Sequence, residues 1–125
     1  MIINDIVAFL HAEHIGIKGT NLFIGELPLD KQDCIAVMPA PSPEPDKSIP
    51  FFVQTVDVWT RFSKTGDGYQ KMQDIFDLFH RRHHFTMGSS YVYLSYALGG
   101  IDDLDRDVES RKLFKASFGF IFRAA

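Results

Sequence analysis

The chain has 125 residues, a formal net charge of −3, 46% hydrophobic and 23% charged residues, which describes one globular domain large enough to bury a core. It is neither a disordered tail nor a domain held on nucleic acid by bulk charge. Apolar runs such as Ile6–Leu10 fall far short of the ~20 residues of a membrane helix, and Asp5 interrupts any N-terminal signal pattern.

The single cysteine, Cys34, can form neither an internal disulfide nor a thiolate zinc site, so a reducing compartment is expected. The unusual count is 12 Phe beside 4 Tyr and 1 Trp. A domain this small hides only so many large rings, so some are expected to face a partner. Charge is also uneven: residues 1–62 carry 4 basic and 8 acidic side chains, residues 63–125 carry 9 and 8.

Ile3, Ile6, Val7 and Leu10 fall at helical spacing, with Asn4 or Asp5 as cap and Gly16 as a stop. Asn21–Leu27 and Asp33–Met38 read as short strands around a Pro28–Lys31 turn. Five prolines between Pro39 and Pro50 then remove backbone donors and fix φ. That segment is predicted to be an extended surface loop, either a flexible connection or an arm that touches a partner.

Phe51–Phe62 reads as a long strand. Phe52, Val56, Val58 and Phe62 share one face; Phe51, Val53, Thr55, Asp57, Trp59 and Arg61 share the other. Large apolar groups on both faces point to helices on one side and a neighbour on the other. After the Thr65–Gly68 break, Tyr69, Met72, Phe76 and Phe79 repeat at helical spacing, with Asp67 as N-cap. This helix is predicted to end in Arg81-Arg82-His83-His84, where cations suit the helix dipole.

Phe85–Leu98 contains a strand, clearest over Tyr91–Leu98, and Gly99–Ser110 reads as a second loop. Leu113–Arg123 closes the chain as a strand with Phe114, Ala116, Phe118, Phe120 and Phe122 on one face and Lys115, Ser117 and Arg123 on the other. The order α-β-β-β-α-β-β predicts an α+β fold, a mixed or antiparallel sheet with two helices packed on it. A single domain spanning 1–125 is expected, with extended loops at 39–50 and 99–110.

Motifs for chemistry are weak. His11 with His14, and His80 with His83 and His84, have spacings that could bring ligands to one helix face. Glu13 is the only carboxylate in either cluster, however, and wet helix ends explain the histidines more simply, so no metal or other cofactor is expected. The run His80–His84 could touch phosphate, but Asp74 and Asp77 flank it and compensation at a helix end accounts for it.

Cys34 sits in an apolar strand as an inert thiol, and Ser89-Ser90 lacks a nucleophile-elbow pattern. The acids at 102, 103, 105 and 107 miss the glycine and glutamate of a calcium loop, and there is no phosphate-cradling glycine motif. No catalytic residue is expected. What remains is charge: the segment 102–109 holds five acids and Arg106, and Arg111, Lys112, Lys115 and Arg123 follow it. Opposite charges on separate patches of identical subunits favour head-to-tail contacts that close into rings, although such charges also serve solubility alone.

The layout as a whole resembles the tail terminator (tail completion, minor capsid) proteins of long-tailed bacteriophages. The resemblance rests on GTNLFIGELP at 19–28, the proline-interrupted loop, VDVWTR at 56–61, the helix from Gly68-Tyr69, and ESRKLFKASFGFIFR at 109–123. Ser110-Arg111 and Phe122-Arg123 occupy the family's small-residue–Arg and aromatic–Arg places, with Ser110 where glycine is common.

The resemblance implies a structural virion protein at the head–tail junction, assembled in the host cytoplasm. It implies a homohexameric ring that caps the tail tube, stops its elongation and meets a head-completion or neck protein. DNA would pass through the lumen without specific binding, and no membrane would be involved.

Expected subunit or partner contacts are Phe51, Trp59, Phe23, Phe85, Arg111, Lys112, Lys115 and Arg123. Asp102, Asp103, Asp105, Asp107 and Glu109 would face the lumen or the next subunit, where carboxylates repel DNA phosphate. Two alternatives stay open: a tail tube subunit or head–tail connector of the same virion, and a small α+β metal- or ligand-binding domain or enzyme.

Overall fold

Two apolar stripes decide where the helices lie. In the computed structural model, which describes residues 2–42 and 50–125, helix α1 spans Ile2–Ala12 and helix α2 spans Thr65–Phe79. Ile2, Ile3, Ile6, Val7 and Leu10 of α1 and Met72, Ile75 and Phe79 of α2 are buried, as their helical spacing requires. The strands are β1 (Leu22–Ile24), β2 (Cys34–Pro39), β3 (Phe52–Phe62), β4 (Arg82–Met87), β5 (Ser90–Ala97), β6 (Asp102–Arg106) and β7 (Lys112–Ala124).

These seven strands form one sheet in the order β1-β2-β3-β7-β5-β4, and β6 pairs β7 alongside β5. β1 and β2 are parallel and every other pair is antiparallel. The architecture is the α+β arrangement of two helices on a mixed sheet that the sequence predicts. At the centre, β3 and β7 run antiparallel from Phe52↔Phe122 to Phe62↔Lys112. Along both strands the even-numbered residues face the helices: Val56, Val58 and Thr60, with Phe114, Ala116, Phe118 and Phe120, are buried.

The core is a cluster of rings. Phe79 meets Phe118 at 5.7 Å, Phe120 at 5.1 Å and Phe9 of α1 at 5.9 Å between centroids, the first two edge to face. Burial of each such side chain contributes ~1.5–3 kcal/mol. α2 packs on β3, β5 and β7, whereas α1 touches β1, β2 and β4, strands at opposite ends of the sheet order. The sheet therefore curls around the helices. The Asp5 carboxylate ties α1 to the β4–β5 turn by accepting from the Ser89 N–H and from the Ser89 and Ser90 hydroxyls.

The structure corrects several local readings. α1 ends at Ala12 and not at Gly16, with His14 in the left-handed region at φ 61°. α2 starts at Thr65, ahead of the predicted Asp67 cap, and stops at Phe79. The run Arg81–His84 is not a helix end: Arg81 turns the chain at φ 57° and Arg82 opens β4. There the Arg82 guanidinium lies over the Phe9 and Phe85 rings, a tertiary contact that outweighs compensation of the helix dipole.

The predicted loop 99–110 contains β6, because Asp102 stands opposite Lys115 in the ladder and Asp103 pairs with Lys112. Of the predicted loop 39–50, Pro39 ends β2 and the Ser42 hydroxyl accepts from the Thr55 N–H at 2.9 Å. Residues 43–49 lie outside the described residues.

Candidate functional site

The side of the sheet that carries no helix is the candidate site, a broad open face. Cross-strand partners share a face, so the register alone builds a row from Phe23 (β1) through Ala36 (β2), Trp59 (β3) and Lys115 (β7) to Asp102 (β6). Lys115 Nζ stands 5.7 Å from the centre of the Trp59 ring and 4.0 Å from the Asp57 carboxylate. Asp57 also accepts from the Ser117 hydroxyl at 2.6 Å. A cleft of about 440 Å³ opens beside Asp57, between residues 40–41 and 98–102.

Toward one end of this face lies an aromatic and basic cluster. Phe51 meets Tyr93 edge to face at 6.0 Å, Tyr93 meets Tyr91 at 5.3 Å, and the Arg123 guanidinium lies 4.7 Å over Tyr91. His84 Nδ1 and the Tyr91 hydroxyl are hydrogen-bonded at 3.0 Å. Between the two groups Tyr96 covers Gly119 so closely that a Cβ there would come within 2.5 Å of the ring. Only glycine admits the tyrosine at this point.

The opposite end is covered by the residue 25–33 segment, held by two buried arginines. Arg61 donates to the carbonyls of Leu27, Pro28 and Lys31, and Arg111 to those of Leu29 and Lys31. Asp107 joins them, 2.8 Å from Arg111 Nε and 4.0 Å from Arg61 Nε. Partial burial alone would raise the Asp107 pKa. Hydrogen bonds from the Arg111 N–H and guanidinium and from the Glu109 N–H outweigh that and hold it below the usual carboxylate range. Burial raises the Cys34 pKa, and the charges of Arg61 and Arg111 offset that only in part.

The expected contact residues thus divide. Phe23, Phe51, Trp59, Lys115, Arg123 and Asp102 all occupy the helix-free face. Phe85 sits on the helix side, 5.5 Å from Phe9. Lys112 and Asp103 pair with each other on that side, the Lys112 ammonium 5.4 Å from the Phe114 ring. Arg111 is 3% exposed and serves the chain's own fold. Asp105 is exposed, while Asp107 and Glu109 sit in the turn that leads to Arg111.

Sequence reasoning missed Tyr91, Tyr93 and His84 as a cluster, although Tyr91 and Tyr93 alternate with the buried Val92. The histidines act separately: His11 Nδ1 accepts from the Lys18 N–H and His80 Nδ1 from the Ala97 N–H. Among the described residues no three His, Cys, Asp or Glu side chains converge as metal ligands, and no helix is long and apolar enough to cross a membrane.

The fold is thus a small α+β module, with a ring-bearing sheet face backed by a helix-packed core. The family described as bacteriophage tail terminator protein matches residues 9–123, and the chain belongs to that family. A search among curated proteins returns no match at a significant level. The family makes the chain a structural component of a phage virion that interacts with other tail or head proteins, a role that calls for no catalysis.

Proposed function

We propose that this protein forms a ring on the last layer of a phage tail tube, stops elongation of the tube and presents its other side to a head-completion or neck protein. The family match over nearly the whole chain carries this reading. The exposed sheet face supports it, because Phe23, Phe51, Trp59, Lys115 and Arg123 supply the mixture of rings and cations typical of protein contacts. The single domain 1–125 is the ring subunit. Asp102 and Asp105 are turned to the lumen or the next subunit, where their charge keeps DNA phosphate from sticking.

Light scattering and negative-stain images of the purified protein, alone and with tail tubes, test this. The expected result is a closed ring, of about six subunits as the family resemblance implies, seated on tube ends. Long self-assembled tubes would make the chain a tube subunit instead. A monomer that leaves tube ends free would refute the proposal. Asn in place of Asp102 and Asp105 should alter ring assembly or DNA passage.

A further inference from the structure

We infer that Leu29 and Val108 form a rigid apolar knob that docks onto the aromatic, basic end of the same sheet face in a second copy of this chain; this rests on the ring reading and names its contact. Leu29 is 80% and Val108 102% exposed, the two most exposed large hydrophobic side chains among the described residues. When the loops that carry them are held rigid, covering such groups on association costs little ordering entropy.

These two loops are held by one guanidinium. Arg111 Nη1 donates to the Leu29 carbonyl at 2.9 Å, and Arg111 Nε to Asp107 at 2.8 Å. The Asp107 carboxylate accepts from the Glu109 and Arg111 N–H groups as well, closing the turn that projects Val108.

Charge selects the partner surface. Asp30 adjoins Leu29 and Glu109 adjoins Val108, both exposed, so the knob has an acidic rim. At the far end of β7 the composition reverses: no Asp or Glu occurs between His80 and Ile101, and Asp5, which reaches the β4–β5 turn there from α1 on the helix side, is engaged by Ser89 and Ser90. Exposed His84 and Arg123 lie against the rings of Tyr91 and Tyr93 there, and Phe51 meets Tyr93.

One molecule therefore carries an acid-rimmed apolar knob and a base-rimmed aromatic seat. Arg111 immediately precedes β7 and Arg123 stands near its far end, so knob and seat lie about 40 Å apart at ~3.3 Å per residue. Complementary patches at opposite ends of one subunit make a heterologous contact, the kind that generates rings.

The test uses the full-length chain with Leu29→Asp and Val108→Asp together, and a charge exchange of Asp30→Arg with Arg123→Glu. All four positions are exposed, so thermal unfolding should match wild type. The Asp pair should weaken association, read by light scattering across a dilution series, at least tenfold and abolish capping of tail tubes. Each charge reversal alone should weaken association, more at low salt, and the two together should restore it. Wild-type mass and wild-type capping by the Asp pair would overturn this contact and leave the ring reading intact. A wild-type chain that neither associates nor caps tubes would overturn both.

Discussion

β3 and β7 present Val56, Val58, Phe118 and Phe120 to the helices, and Asp57, Trp59, Lys115 and Ser117 to the other side. The same two strands thus build two surfaces of different kinds. On the helix side, aliphatic and Phe side chains lie at 0–3% exposure in one continuous cluster. On the helix-free side two of the large rings carry polar partners: Lys115 on Trp59, and Arg123 and His84 on Tyr91. Such rings can stay in water in a free subunit and still supply contact area when covered. The apolar core of the subunit thus lies on one face, and the proposed ring contacts use the other.

Substitutions of matched size should break that comparison most sharply. Phe118→Ala leaves a cavity among Phe76, Phe79 and the sheet and should lower unfolding stability by ~3–5 kcal/mol in urea titrations. Trp59→Ala, on the same pair of strands, should cost the isolated chain only about 1 kcal/mol and abolish ring formation. Equal losses of stability would dissolve the distinction between the faces.

Arg111→Ala comes next. It removes the guanidinium that donates to the Leu29 and Lys31 carbonyls and to Asp107, leaving Lys31 to Arg61 and Asp107 to backbone N–H groups, and should cost about 2 kcal/mol, with faster proteolysis of the 25–33 segment. Ser110→Gly should have a smaller effect of opposite sign. Ser110 holds φ 62°, a left-handed conformation that glycine adopts freely. Relieving it should stabilise the chain by up to ~1 kcal/mol, seen as a raised midpoint.

Acid sensitivity sharpens the picture further. The hydroxyl and N–H donors of Ser90 and Ser89 outweigh partial burial and hold Asp5 below its ordinary value of 3.8, and Asp107 is lowered in the same direction. Because the folded values lie below the unfolded ones, their contribution is complete above about pH 4 and is lost as pH falls through the folded values. Asp5→Asn should flatten that acid limb in pH-dependent melting, and Asp107→Asn should do so at the opposite end of the sheet.

Much of this could be read without coordinates. Alternation in Phe51–Phe62 and Leu113–Arg123 assigned the faces of β3 and β7 correctly, since a strand's side-chain period is two whatever surrounds it. The stripe of Met72, Phe76 and Phe79 likewise placed α2. What pattern could not reveal was pairing between distant segments. β6 is a strand because its acids meet Lys112 and Lys115, and β4 is one because it has β5 to pair with and rings to place under Arg82. The same limit hid the site: Phe23 and Trp59 lie 36 residues apart and meet in a row only through the register of β1, β2 and β3.

Local periodicity and the family signature were thus carried by the sequence itself: two helices, a long central strand pair, and a surplus of rings larger than one core. The tertiary structure alone decided which of those rings are surplus. It put Phe85 with the core and Phe51, Trp59 and Phe23 on the open face, and it turned Arg111 inward as a clamp. The physical reason is that burial and charge pairing depend on which strands become neighbours, a property of long-range register that no short window of residues contains.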